Sequence, residues 1–181
     1  MKTNSGFEQC YNSQAAVDHD SYLIVGQSLS NHPNDQKELL VTADSIPAKV
    51  GKPKAGCADA GYASDDNIDG LIDRGIDPYI ATGRDSHHDF LDKLSEVEPI
   101  VEDPKEKVSK IEKMRQKLSS KAGKEIYRFR KMTVEPVFGI IKQAMRFRQF
   151  SFKGQKKVSN EWGLVCLSYN LRRLFKLGMS I

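Results

Sequence analysis

The sequence predicts an α/β fold, and three of its stretches carry that prediction. Residues 11–18 and 22–29 are short strand-like runs on either side of a polar break, a pattern typical of a β-hairpin. Residues 54–82 have the order strand, helix, strand, which at this spacing indicates a crossover with parallel pairing. Most of the chain after residue 104 has helical periodicity and would supply helices that flank the sheet.

A helix and a linker are expected between the hairpin and the crossover. The polar turn at residues 31–35 can cap a helix that runs from about Asp35 to Ile46. Residues 47–53 have a proline at each end and are expected to form a linker.

The crossover places one acid at the end of a strand. Residues 54–59 form a short strand of small residues, Ser64 or Asp65 caps the helix that follows, and Gly75 ends this helix before the strand at 76–82. The helix has apolar residues at helical spacing, namely Ile68, Leu71 and Ile72. Asp59 therefore lies where open α/β sheets place their active sites, although an ordinary turn or capping Asp is the alternative.

The remaining sequence predicts an insertion and three helical segments. Residues 83–124 are interpreted as a partly flexible insertion, of which 105–124 form a thin amphipathic surface helix. A new helix is expected to begin near Thr133, since Thr is a good N-cap and Pro136 belongs in a first turn. The last helix, 159–175, is apolar over most of its surface and is expected to be buried.

Charge is divided unevenly along the chain. Residues 1–104 contain 8 Lys and Arg against 19 Asp and Glu, whereas residues 105–181 contain 20 against 5. The net charge of +4 hides this division. A basic tract of this density is typical of a protein that binds a polyanion, nucleic acid first, although a solvated helical face is the more common origin of a charge run.

Composition excludes several other classes of protein. No stretch approaches the roughly 18–20 consecutive apolar residues of a membrane span, and no apolar run follows the first lysine to form a signal peptide. Three cysteines without Cys-x-x-Cys spacing argue against a disulfide scaffold and a zinc site, and they fit a reducing cytoplasm.

Glu135 is the second acid with a chemical interpretation, because it lies among cations. Lys142 comes seven residues later on the same helical face, and further basic residues lie on both sides. Phosphodiester chemistry needs acids that hold Mg²⁺ and cations that hold phosphate oxygens. The alternative is an ordinary Glu at a helix N-terminus, where the helix dipole favours it.

Several longer motifs occur together in the chain. They are Cys-Ala-Asp-Ala-Gly-Tyr at 57–62, Thr-Val-Glu-Pro-Val-Phe-Gly-Ile-Ile-Lys at 133–142, Phe-Arg-Gln-Phe at 147–150, Glu-Trp at 161–162 and Tyr-Asn-Leu-Arg-Arg at 169–173. With these motifs the chain closely resembles bacterial DDE transposases and, more narrowly, the IS1182 group of the IS4-like superfamily. Residues 11–18 and 34–36 are similar to that group as well.

The resemblance implies a fold, a reaction and a site. It implies a ribonuclease H-like mixed sheet with flanking helices, whose Asp-Asp-Glu triad binds Mg²⁺, with Mn²⁺ as an alternative ion. The second Asp falls on Asp59 and the Glu on Glu135. The implied partner is DNA, both transposon ends and target, which the enzyme cuts and joins. The implied phosphate-binding residues are Tyr127, Arg130, Lys131, Lys142, Arg146 and Arg148.

Two departures from the family pattern accompany the resemblance. The spacing between the Arg and the Glu is four residues here and three in the superfamily, so Arg130 and Lys131 are both candidates for the phosphate-contacting cation. The family's first Asp lies on a central strand that precedes residue 11. The chain is therefore expected to be the C-terminal part of the catalytic domain, to lack that strand, and to be inactive alone.

Three hypotheses remain at this stage. The first is a transposase fragment that works with a separately encoded N-terminal half or as a homo-oligomer, in the bacterial cytoplasm at the nucleoid. The second is a non-catalytic DNA-binding remnant or a regulator of transposition. The third is a product without function whose core is incomplete.

Overall fold

The computed structural model describes residues 2–3, 6–7, 10–83 and 109–178. These residues form small two-stranded sheets with flanking helices, which confirms the predicted α/β class. The part of the predicted insertion at 84–104, and the first residues of the helix expected after it, lie outside the described residues.

The six strands of the described residues pair two by two. β1 (Lys2–Thr3) pairs with β2 (Gly6–Phe7), β3 (Asn12–Val17) pairs antiparallel with β4 (Ile24–Ser30), and β5 (Ala55–Ala58) pairs parallel with β6 (Asp77–Ile80). The second pair is the predicted hairpin and the third is the predicted crossover, so both predictions are confirmed.

The helices begin and end close to most of the predicted positions. They are α1 (Glu38–Asp44), α2 (Asp65–Asp73), α3 (Lys110–Ser119), α4 (Lys121–Gly139) and α5 (Gln155–Lys176), and a π-helical turn (Ile140–Ala144) follows α4. Ser64 rather than Asp65 caps α2, because its side chain accepts a hydrogen bond from the N–H of Asn67. Gly75 ends this helix with a φ of 63°, a conformation that favours glycine.

The predicted start of a helix near Thr133 is wrong. α4 runs without a break from Lys121 to Gly139 with Pro136 inside it, and the hydroxyl of Thr133 donates to the carbonyl of Phe129 within the helix. The reason is packing. Val137 and Ile141 are 0% and 1% exposed in one core, and this burial outweighs the backbone hydrogen bond that proline cannot make.

Two separate hydrophobic cores hold the described residues together. The hairpin core joins β4, the end of α4 and α5, and its buried residues are Ile24, Val137, Ile141, Trp162, Cys166 and Tyr169. The crossover core joins β5, β6, α2 and α3, and its buried residues are Ala58, Ile68, Leu71, Ile76, Ile80 and Met114. The predicted surface helix is thus attached to the domain, because Met114 of α3 is only 4% exposed.

The last helix is buried on one face only rather than all round, which corrects the sequence-based expectation. One face of α5 packs in the hairpin core, whereas the other exposes four large apolar side chains, Leu164, Leu167, Leu171 and Phe175. Phe175 is 81% exposed. Among the helices of the described ranges, none is long and apolar enough to cross a membrane.

Candidate functional site

A cleft of about 710 Å³ lies between the hairpin sheet and the crossover sheet. β3 and the hairpin turn line one side, β5 and the turn after it line the other, and α1 and α4 contribute side chains between them. Asp59, Tyr62, Arg130 and Gln14 are all part of this lining. The cleft therefore brings together parts of the motifs at 11–18 and 57–62 with the middle of α4.

Both carboxylate oxygens of Asp59 are held. The residue directly follows β5, and its Oδ1 accepts a hydrogen bond from the N–H of Gly61 at 3.1 Å. Its Oδ2 accepts one from Nη2 of Arg130 at 2.9 Å, and the two side chains are 44% and 20% exposed. Asp59 thus keeps an open side towards the cleft while an ion pair neutralises its charge.

A network centred on Gln14, called the Gln14 network below, fixes the turn that follows Asp59. The hydroxyl of Tyr62 donates to Oε1 of Gln14, and Nε2 of Gln14 donates to Oδ1 of Asn12 at 2.8 Å and of Asp35 at 3.1 Å. Trp162 donates its indole N–H to the carbonyl of Gln14 at 3.0 Å. Burial, with the nearby carboxylates, raises the pKa of Tyr62, so its hydroxyl remains a donor at neutral pH.

Gly61 allows two acids to approach this turn. A Cβ at Gly61 would lie 3.2 Å from Oδ1 of Asp59 and 3.4 Å from Oδ2 of Asp35. The glycine therefore favours the close approach of these side chains, and its backbone angle is not unusual. The carboxylates of Asp35 and Asp59 consequently face the same small space.

Sequence reasoning missed the members of the Gln14 network as positioning residues. Gln14 is 8% exposed in a strand whose neighbours are small, and a buried amide needs hydrogen-bond partners. That signal was present in the sequence as one of two amides, with Asn12, in a strand that continues with Ala15, Ala16 and Val17. Its partners Asp35 and Tyr62 lie in other elements, so only the fold could identify them.

The structure does not place Glu135 beside Asp59 in the cleft. Glu135 is exposed on α4 and is not among the residues that line the cleft. It follows Arg130 by five residues, which is about 140° around a helix axis, so the two side chains leave α4 on different faces. Within the described ranges no group of three or more His, Cys, Asp or Glu side chains could hold a metal ion.

Asp59 nevertheless fits a divalent cation as one ligand. Mg²⁺ prefers carboxylate oxygens and keeps several waters, so one or two carboxylates suffice. The carboxylate of Asp59 is partly exposed at a cleft with room for those waters. An incoming cation would have to share this carboxylate with Arg130.

The predicted phosphate-binding residues fall into two groups. Of the two candidate cations in the middle of α4, Arg130 contacts Asp59, whereas the side chain of Lys131 is outside the described side chains. Tyr127 is half-buried on the same helix. The remaining three, Lys142, Arg146 and Arg148, are exposed in and after the π-helical turn. Arg148 donates from Nη2 to Oε1 of Gln143 at 2.8 Å.

Glu161 is a structural acid rather than a third site residue. Its carboxylate accepts hydrogen bonds from the N–H groups of Ser151 and Phe152, at 2.8 Å and 3.1 Å for the shortest contact to each. Burial acts to raise the pKa of Glu161, but these donors outweigh it and hold the pKa below its usual value. The two residues of the Glu-Trp motif therefore have different roles. Glu161 holds the loop before α5, and Trp162 binds the Gln14 network.

Comparison with known proteins identifies a family for this chain. Residues 1–171 match the family model described as a transposase DDE domain, a range that includes the cleft, all of α4 and most of α5. No curated protein and no solved structure matches the chain.

Proposed function

Because the chain belongs to the transposase DDE domain family, we propose that its complete catalytic unit cuts and joins DNA at the ends of an insertion sequence. The family acts in DNA transposition and generally uses a divalent metal, typically Mg²⁺. The observation that carries the proposal is Asp59, a partly exposed acid at the end of β5 that is paired with a cation inside a cleft. The narrower placement in the IS1182 group, with its bacterial source and nucleoid association, is part of the same proposal.

The side chains have distinct roles in this proposal. Asp59 and Glu135 hold Mg²⁺ or Mn²⁺, which lowers the pKa of a nucleophilic water and stabilises charge on the phosphodiester. Since Glu135 lies on a different face of α4 from Arg130, sharing one ion with Asp59 requires an arrangement that differs from the one seen. Backbone phosphates are held by Tyr127, Arg130, Lys131, Lys142, Arg146 and Arg148.

We also infer that the sheet lacks a strand between β3 and β5, and the strand edges support this. β3 pairs only with β4 and β5 pairs only with β6 in the part of the chain that the structure describes. Their open edges both line the cleft. Unpaired edges are normally covered or blocked in native proteins, so two open edges that face one cleft favour a strand between them.

The outer edges of the same two sheets are blocked, unlike the edges that face the cleft. The amide of Asn170 accepts from the N–H of Ile24 and donates to its carbonyl, both at 2.8 Å, along the outer edge of β4. On β6, Pro78 has no N–H, and Lys117 donates to the carbonyl of Pro78 at 2.9 Å. Among the described residues, protection is therefore present on the outer edges and absent on the inner edges.

The direction of the inferred strand follows from the Gln14 network. Tyr62, four residues after the end of β5, donates to Gln14 in the first half of β3, and from this contact we infer that the two strands run in opposite directions. A strand between them that is parallel to β5 is antiparallel to β3 and ends next to Asp59. We propose that it carries the third metal-binding carboxylate.

A cleavage assay tests these roles. The chain is mixed with Mg²⁺ and duplex DNA that carries the ends of the insertion sequence, with and without a separate polypeptide that contains the preceding strand and its Asp. We expect little or no nicking by the chain alone, and Mg²⁺-dependent nicking in the mixture that Asp59→Ala abolishes. Strong nicking that survives Asp59→Ala would contradict the proposal.

A second function, DNA binding without catalysis, is favoured by the exposed cations after α4. Lys142, Arg146 and Arg148 are accessible in the structure and need no metal to bind phosphate. Affinity should then fall by roughly 0.9 log units per log unit of salt for each phosphate that is neutralised. Two results together would favour this function. DNA binding would be unaffected by Asp59→Ala, and the mixture of the chain with the strand-containing polypeptide would not nick DNA.

A further inference from the structure

Arg130 is more buried than the lysines and arginines of the other ion pairs in the described residues. Its side chain is 20% exposed, whereas the lysines and arginines of the other ion pairs are 31% exposed or more. The pair with Asp59 spans 71 positions in sequence and connects α4 to the end of β5. It is thus a specific contact between two elements at the candidate site.

A divalent cation and Arg130 compete for the same carboxylate. Mg²⁺ binds a carboxylate oxygen at about 2.0–2.1 Å, which would bring it close to a guanidinium that is itself 2.9 Å from Oδ2. Like charges at this separation repel, and in a partly buried cleft water screens them less than at the surface. In the arrangement seen, the positive charge that the ion would supply is already present as Arg130.

The guanidinium has a second ligand class available. It contacts Asp59 through Nη2, which leaves further N–H donors directed elsewhere, and arginine binds phosphate through two parallel hydrogen bonds. The adjoining cleft provides space for the long side chain to move. A phosphate of bound DNA can therefore take Arg130 away from Asp59.

We propose that Arg130 is exchanged between Asp59 and a DNA phosphate, so that DNA binding and divalent-cation binding favour each other. Without DNA, Arg130 occupies Asp59 and weakens cation binding. With DNA, Arg130 moves to phosphate and exposes the carboxylate to the ion. The coupling is reciprocal by thermodynamic necessity, and it rests on the proposed function in taking DNA and a divalent cation as the two ligands.

The test measures binding rather than catalysis. The affinity of the full chain for Mn²⁺ is measured by the loss of the free-ion electron paramagnetic resonance signal. Its affinity for a fluorescent 16-base-pair duplex is measured by anisotropy with and without Mn²⁺ at constant ionic strength. Arg130→Gln is expected to tighten Mn²⁺ binding without DNA about tenfold, and to remove the Mn²⁺-dependent gain in DNA affinity that the unaltered chain shows.

Matched variants separate this exchange from general effects. Arg128→Gln removes the same charge from an exposed position on α4 and should keep the coupling, which also corrects for Mn²⁺ bound by the duplex itself. Asp59→Asn should weaken Mn²⁺ binding and abolish the coupling. Arg130→Lys, which keeps the charge but loses the paired donors, should retain part of it. Thermal unfolding checks that each variant is folded.

The outcomes distinguish this inference from the proposed function. One outcome is that Mn²⁺ binding depends on Asp59 and DNA binds, but Mn²⁺ raises the DNA affinity of Arg130→Gln and of Arg128→Gln by the same factor. The exchange is then refuted and the proposed function stands. If Mn²⁺ affinity is the same in the unaltered chain and in Asp59→Asn, the proposed metal site is refuted together with the exchange.

Discussion

The two halves of this domain are stabilised in different ways. In the hairpin half, side chains of α5 reach residues that are far away in sequence and bind their backbone. Trp162 donates to Gln14, Asn170 pairs with Ile24, and Tyr169 donates to the carbonyl of Tyr22 at 3.0 Å. In the crossover half, the core consists mainly of aliphatic side chains.

The difference teaches what each half contributes to the site. Aliphatic burial is non-directional, whereas a hydrogen bond to one carbonyl fixes one register. Asp59 belongs to the crossover half, but it is positioned by Arg130 and, through Tyr62, by Gln14 of the hairpin half. The candidate site therefore lies where the two halves meet, and side chains of both halves position it.

The largest expected loss of stability comes from removing the indole of Trp162, which packs in the hairpin core and also donates a hydrogen bond to Gln14. Trp162→Ala should lower the free energy of unfolding by about 3–5 kcal/mol, because it removes a 2% exposed ring and the donor to Gln14. Met114→Ala in the crossover core should cost less, since it removes no hydrogen bond. Urea unfolding measures both, with the exposed Leu164→Ala as a near-neutral control. A larger loss for Met114→Ala would overturn the comparison.

A smaller loss is expected at the edge of β4. Asn170→Ala leaves the N–H and the carbonyl of Ile24 without their amide partner and should cost about 1–3 kcal/mol. Because this edge also becomes open, the variant should associate at high concentration, which light scattering detects. Ser168→Ala on the exposed side of the same helix is the control. A monomeric variant of unchanged stability would show that Asn170 does not protect the edge.

The hydrogen bond between Tyr62 and Gln14, which joins the two halves, should contribute less to the free energy of unfolding than Asn170 does. Tyr62→Phe removes the hydroxyl that binds Gln14 and should cost about 1 kcal/mol, as for one neutral hydrogen bond. The expected signature is faster hydrogen exchange in residues 59–63, with the core of α2 unchanged. Equal exchange in both proteins would mean that the Gln14 network does not hold the turn.

The smallest expected effect is the dependence of stability on pH through Glu161. Because the pKa of Glu161 is held below its usual value, its ionised form stabilises the fold at neutral pH. This contribution is present above the ordinary pKa of Glu and is lost as the pH falls through the lowered value. Glu161→Gln should therefore be less stable than the unaltered chain at pH 7, and the gap should narrow below about pH 4. A constant gap in thermal midpoints across that range would contradict this assignment.

Local signals in the sequence predicted the elements that local physics determines. The hairpin, the parallel crossover and the cap of α2 depend on neighbouring residues, and Asp59 was placed correctly at the end of β5. The continuous α4 was missed because burial of Val137 and Ile141 outweighs the local preference of Pro136. In α5, apolar residues occur on both faces, and periodicity alone does not tell which face is covered.

The candidate site was predictable only in part for a similar reason. Arg130 was identified as a phosphate-binding candidate, but its contact with Asp59 joins elements 71 positions apart. The Gln14 network likewise joins four separate parts of the chain. The role of Glu135 as a metal ligand stays a prediction, since the structure shows it exposed on α4.

The contrast between blocked outer edges and open inner edges has a consequence for mass action. A strand that binds only the folded state raises stability by RT ln(1 + [L]/Kd), where [L] is its free concentration. If the inferred strand comes from a separate polypeptide, the melting temperature of this domain rises with the concentration of that polypeptide. The supply of one strand would then determine how much folded protein is present, before any DNA is bound.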